Sequence, residues 1–238
     1  MSESTTVMTS SASVYTTSGF WERLWRTSGI QFAALFIIAY LIYGNQPQVG
    51  ASAETLMAFY HGDSMRILIA TVLDGFAVLN LMWFAAALRS TLADAGRDGW
   101  GAAATASSAA LGGLLILLIT ISAGLAYSIA GSGNPALLGG LNDITWAGVV
   151  LSSFPRAMLT MSAAFGLWRA GLISNGLFAV GVAAVVLVLL GGTTWLSDGF
   201  WAPDGLYSRF VSPLICLLWL MIVSRVLLTR SPTTHAAW

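Results

Sequence analysis

The chain has 238 residues, of which 57% are hydrophobic and only 8% charged, whereas a soluble globular domain carries roughly 25% charged residues. Acidic and basic residues balance at ten each, so no net field points to nucleic acid or an anionic polymer as partner. Every basic residue is arginine, and the absence of lysine excludes a retinal Schiff base, a pyridoxal-phosphate lysine and a P-loop lysine.

The first nineteen residues are rich in Ser and Thr, with no basic residue and no apolar run. They lack the positive n-region and cleavage site of a signal peptide and read as a disordered tail. In "GFWERLWRTSG" the residues Trp21, Leu24 and Trp25 recur at i, i+3 and i+4. Residues 20–28 therefore read as an amphipathic segment in the membrane interface, with Arg23 and Arg26 at the headgroups, or equally as an aromatic anchor before the first span.

A bilayer core of about 30 Å needs about 20 apolar residues per helix. Six stretches qualify: Gly29–Tyr43, Met65–Leu88, Ala109–Ala130, Ile144–Trp168, Leu172–Leu190 and Phe210–Leu228. The expected fold is an all-α, polytopic membrane domain over residues 29–230, followed by a short tail, 231–238. Arg23, Arg26, Arg89, Arg97, Arg169, Arg225 and Arg230 fall on one side, against Arg66 and Arg209 on the other. The positive-inside rule then makes both termini cytoplasmic.

The outer connections are rich. In "SAETLMAFYHGDS", Ser52 is placed to cap a short helix that Gly62 ends, and Asp63 or Ser64 caps the second span. "GGTTWLSDGFWAPDGLYSR" packs Trp195, Phe200, Trp201 and Tyr207 around Asp198 and Asp204, with "APDG" as a turn. Such a loop is either a lid with binding residues or an aromatic belt at the headgroups. The inner connection "RAG" forces an antiparallel hairpin between spans four and five. "GAAATASSAALGG", with which span three opens, and Gly176 and Gly181 in span five, are small enough to let helix backbones approach closely.

Familiar catalytic signatures are absent, and only His61 and His235, both outside the spans, and one cysteine, Cys216, are present. No haem or di-iron ligand set, no metal site and no cofactor is expected. Two charges do lie inside spans: Asp74 in "IATVLDGFAVLNLMW" and Arg156 in "SSFPRAML". Intramembrane charges face the bundle interior and find partners. At 1.5 Å per residue, Asp74 lies about 14 Å and Arg156 about 18 Å below the outer boundary, close enough for an arginine to reach across. Pro155 also frees a backbone carbonyl that the guanidinium could take. Thr71, Asn80, Ser152 and Ser153 lie at similar or adjacent depths.

The expectation is an outward-facing intramembrane pocket anchored by Asp74 and Arg156 and roofed by Trp195 and Trp201. It would bind or pass a small, largely apolar or lipidic molecule. Three alternatives remain: a structural ion pair, an arginine that snorkels towards the inner interface, and a cyclase or isomerase using Asp74 as general acid on an isoprenoid. A scaffold subunit is a further class, and assembly as a homo-oligomer or within a larger membrane complex stays open.

Three stretches, "MRILIATVLDGFAVLNLMWFAAALRSTL", "SSFPRAMLTMSAAFGLWRAGLISNGLFAVGVAAVVLVLL" and "GLYSRFVSPLICLLWLMIVSRVLL", resemble a family of small six-helix bacterial membrane proteins, common in actinobacteria, filed under a domain of unknown function. The resemblance implies the fold and a bacterial plasma membrane, and carries over no catalytic residue.

Overall fold

The structure, a computed structural model, describes residues 23–229. The expected tails, 1–19 and 231–238, and Trp21 of the amphipathic segment lie outside the described residues. Within them every regular element is helical: α1 (Ser28–Tyr43), α2 (Ala53–Tyr60), α3 (Ser64–Asp94), α4 (Asp98–Gly124), α5 (Pro135–Leu151), α6 (Ser153–Arg169), α7 (Asn175–Leu190) and α8 (Ser212–Thr229). A π-turn and a 3-10 turn extend α4 to Ser132, and a second π-turn, Tyr207–Val211, leads into α8.

Four stretches are long and apolar enough to cross a membrane: Ser64–Asp94, Asp98–Ser132, Asn175–Thr193 and Tyr207–Thr229. The outward faces of these helices carry Val72, Phe76, Leu79, Leu117, Val186 and Leu218, all exposed. An apolar surface of that extent belongs in lipid rather than water. The protein is membrane-embedded.

Helices α1, α3, α4, α6, α7 and α8 pack in that order into a ring that closes where α8 meets α1. Its core holds Phe84, Leu88, Leu159, Ala163, Trp219 and Leu220. Close approach of backbones supports this packing, as the small residues imply. Ser108 Oγ donates across to Leu81 O at 3.3 Å. A Cβ at Gly101 would come within 3.2 Å of Arg89 Cα, and one at Gly181 would press on Ala164 and Trp219 at 2.7–2.8 Å. Gly176 differs: the nearest atom to a Cβ there is Ser174 Oγ at 4.0 Å, so it serves no close contact.

The stretch expected as span four is two helices. α5 starts at Pro135, not Ile144, because Asn134 caps it through Leu137 N at 3.1 Å and Pro135 fits the first turn. The helix then breaks at Ser152, just ahead of Pro155. α4 likewise starts at Asp98, well before Ala109.

One end of the bundle gathers α2, the turn after α4 and the loop before α8. A small second core of Leu56, Tyr60, Ile67, Leu125 and Leu138 fills it. Ser52 caps α2, accepting from Thr55 N at 3.3 Å. Asp63 does not cap α3; its carboxylate instead meets Arg66 Nη2 at 2.7 Å. "APDG" is a turn, with Gly205 N donating to Ala202 O at 3.0 Å. The opposite end carries the short α3–α4 and α6–α7 connections. There Gly171, at φ +69°, closes α6 while Leu172 N donates to Leu167 O at 2.9 Å.

Candidate functional site

A cavity of about 170 Å³ lies between α1, α3, α4, α5 and the start of α8. Helical spacing builds each wall: Phe36, Tyr40 and Tyr43 on α1; Thr71, Asp74 and Val78 on α3; Leu115, Leu118, Ile119 and Ser122 on α4. Each set recurs at three or four residues and so shares one face of its helix. Trp146 and Val149 of α5, with Arg209 and Pro213, complete the lining, and Gln46 sits at the loop end.

Asp74 is the carboxylate of this cavity, and it has neither a hydrogen bond nor an ion pair with another described residue. Arg209 is its cation. Its Nε donates to Tyr40 Oη at 3.0 Å and its Nη2 to Asn45 Oδ1 at 3.2 Å. The guanidinium carbon stands 5.5 Å from the ring centres of Trp146 and Phe210. Its partners are thus neutral groups and aromatic faces, and no described carboxylate balances its charge. The π-turn that carries Arg209 offsets the register at the head of α8, a device frequent at functional sites.

Above the cavity a polar network ties the loops down. Tyr43 Oη donates to Ser122 Oγ at 3.2 Å and Gln46 Nε2 to Thr145 Oγ1 at 2.6 Å. Tyr60 Oη donates to the fully buried Asn142 at 3.0 Å, and Trp146 Nε1 to Pro47 O at 2.8 Å. Burial pushes the Tyr60 phenol well above its ordinary pKa, so it stays a neutral donor.

Arg156 does not join Asp74. It lines a second, smaller cavity of about 80 Å³ with Ser152 and Cys216, which adjoins the first and shares Phe36, Leu115, Leu118, Val149 and Pro213 in its lining. No ion pair links the two charges. Arg156 Nε donates to Ser152 O at 3.2 Å, and its Nη2 to Val149 O at 3.1 Å and Ser153 Oγ at 3.0 Å. It therefore turns back along its own helix and caps the end of α5, where a cation is favoured by the carbonyl dipoles. Proline breaks the helix and arginine seals the break. Nor does Arg156 snorkel, since it is only 7% exposed.

The other expected site residues divide. Thr71 lines the larger cavity, though its hydroxyl donates to Leu68 O at 2.8 Å. Ser152 lines the smaller one and Ser153 serves the Arg156 cap. Asn80 lines neither cavity; its Nδ2 donates to Phe76 O at 2.9 Å within its own helix. Trp195 and Trp201 line neither, because their indoles stitch the loop to itself, donating to Gly192 O at 3.1 Å and Thr193 O at 3.0 Å. Trp146 is the tryptophan of the site. Nothing in the local sequence marks Trp146, and the sequence marks Arg209 only as an outer-side charge. The arginine at the mouth of the last span was the available signal.

No family model matches the chain, and no curated protein and no solved structure matches it either.

Proposed function

We propose that this protein crosses a bacterial plasma membrane six times, with both termini in the cytoplasm, and binds or passes a small molecule in the Asp74 cavity, which opens towards the outside. The observation that carries the reading is a cavity of about 170 Å³ holding an unpaired carboxylate in a largely apolar lining. Charges in a bilayer are expensive, and one left without a protein partner in a cavity marks a ligand or ion path. The orientation follows from the arginines: Arg89, Arg97, Arg169 and Arg225 stand at the end opposite Arg66 and Arg209. Helix α6 with the last turns of α5 makes the fourth crossing, and α1, at 16 residues, the first.

Size favours a small ligand. An engineered cavity of roughly 150 Å³ takes a benzene molecule, and the space here is of that order. It does not favour folding a long isoprenoid for cyclisation.

Labelling tests the reading. In a Cys216→Ala background, Ser122→Cys should react from outside with a small membrane-impermeant thiol reagent, and Leu79→Cys, on the lipid face, should not. Introducing Leu118→Trp to fill the cavity should suppress the reaction. An inert Ser122→Cys would mean that the cavity does not communicate with the outside, and the binding reading would fail.

A further inference from the structure

We propose that the occupant of the Asp74 cavity is a small zwitterion, an α-amino acid with a short apolar side chain, its ammonium on Asp74 and its carboxylate on Arg209. The inference rests on the binding reading above and names its ligand class.

Three observations converge on it. First, one cavity is lined by two charged side chains of opposite sign, and neither is paired with a described counter-ion. Both are half-buried, and a charge partly withdrawn from water gains from a partner. A simple amine would satisfy Asp74 and leave Arg209 uncompensated, and a simple carboxylate would do the reverse. A zwitterion satisfies both and leaves the cavity neutral. Second, Arg209 is held in place with capacity to spare. Tyr40 and Asn45 fix Nε and Nη2, and the guanidinium carbon stands over the rings of Trp146 and Phe210. Nη1 has no hydrogen bond of its own among the described residues. A guanidinium fixed in this way is suited to a carboxylate. Third, most of the remaining lining is apolar, with Phe36, Val78, Leu115 and Leu118 offering contact to an apolar side chain, while the hydroxyls of Thr71, Tyr43 and Ser122 donate or accept within the protein. Space for a body somewhat larger than benzene admits about eight or nine non-hydrogen atoms, the size of valine or leucine.

The probe is L-valine, bound to the purified protein in lipid nanodiscs and displaced by two fragments of itself. Isobutylamine lacks the carboxylate and 3-methylbutanoic acid lacks the amine. L-Valine should bind, and each fragment should bind about 10–150-fold more weakly, the loss of one charge-assisted contact. Asp74→Asn should weaken valine by a similar factor yet leave 3-methylbutanoic acid unchanged. Arg209→Gln should weaken valine and leave isobutylamine unchanged. Should Arg209→Gln fail to fold, Arg209→Lys, which keeps the charge and loses the planar fork, should bind valine more weakly than wild type and isobutylamine equally well. Isobutylamine binding as tightly as valine would overturn the zwitterion in favour of a plain cation. If neither valine nor leucine binds while benzyl alcohol still protects Ser122→Cys from labelling, the ligand class is wrong and the pocket stands. If Ser122→Cys is itself inert, the pocket reading fails first.

Discussion

Arg156 and Asp74 offer the sharpest test of the packing described here, through a double-mutant cycle of Asp74→Ala and Arg156→Met. Were the two an ion pair, removing either would strand a buried charge at about 3–5 kcal/mol, and the double variant would recover much of it. The hydrogen bonds point elsewhere. Without its guanidinium, Val149 O keeps Ser152 Oγ at 2.6 Å and Ser152 O keeps the backbone N of residue 156 at 3.1 Å. Only Ser153 Oγ loses its donor, and Ser212 Oγ, which has no partner of its own, lies with it against Gly191. Arg156→Met should therefore cost about 1–3 kcal/mol, the range for one lost hydrogen bond with its desolvation. The Asp74→Ala effect should add to it, with a coupling below about 0.5 kcal/mol. Reversible unfolding in mixed micelles, followed by tryptophan fluorescence, measures all four corners. A coupling above about 2 kcal/mol would refute the separation of the two charges.

Gly181→Leu should destabilise by about 1–3 kcal/mol through overpacking on Trp219 and Ala164, while Gly176→Ala should leave the melting temperature in detergent unchanged. Tyr60→Phe should cost about 0.5–1.5 kcal/mol, because Asn142 Oδ1 loses its 3.0 Å donor and keeps Gln46 Nε2 at 3.5 Å, seen as a lowered melting temperature and faster hydrogen exchange in α2. For topology, a cysteine at Ser197 should label from outside and one at Ala95 should not, each without Cys216; the reverse pattern would sink the orientation.

Much of the architecture was legible because bilayer physics constrains sequence strongly. Helical content, the small-residue contacts of Gly101, Ser108 and Gly181, the Ser52 cap and the hairpin at Gly171 all follow from local pattern. Asp74 and Thr71 in the cavity were legible too, since a carboxylate inside an apolar run has few other places to go. What depth arithmetic could not supply was azimuth. Rise per residue gives how far down a helix a side chain sits, and says nothing of which neighbour it faces. Asp74 and Arg156 differ by about 4 Å in depth on that arithmetic, yet they line two adjoining cavities and make no ion pair. A second limit was competition within the chain itself. Arg156 had the carbonyls of Val149 and Ser152 close by at the break in the helix, and a local acceptor costs less ordering entropy than a distant carboxylate. Arg209 instead takes Tyr40 and Asn45, and from its π-turn its guanidinium stands over Trp146 in the lining of the cavity that Asp74 shares. Of the two arginines, the one beside a broken helix is taken up by that break, and the one at the mouth lines the cavity without a described carboxylate partner.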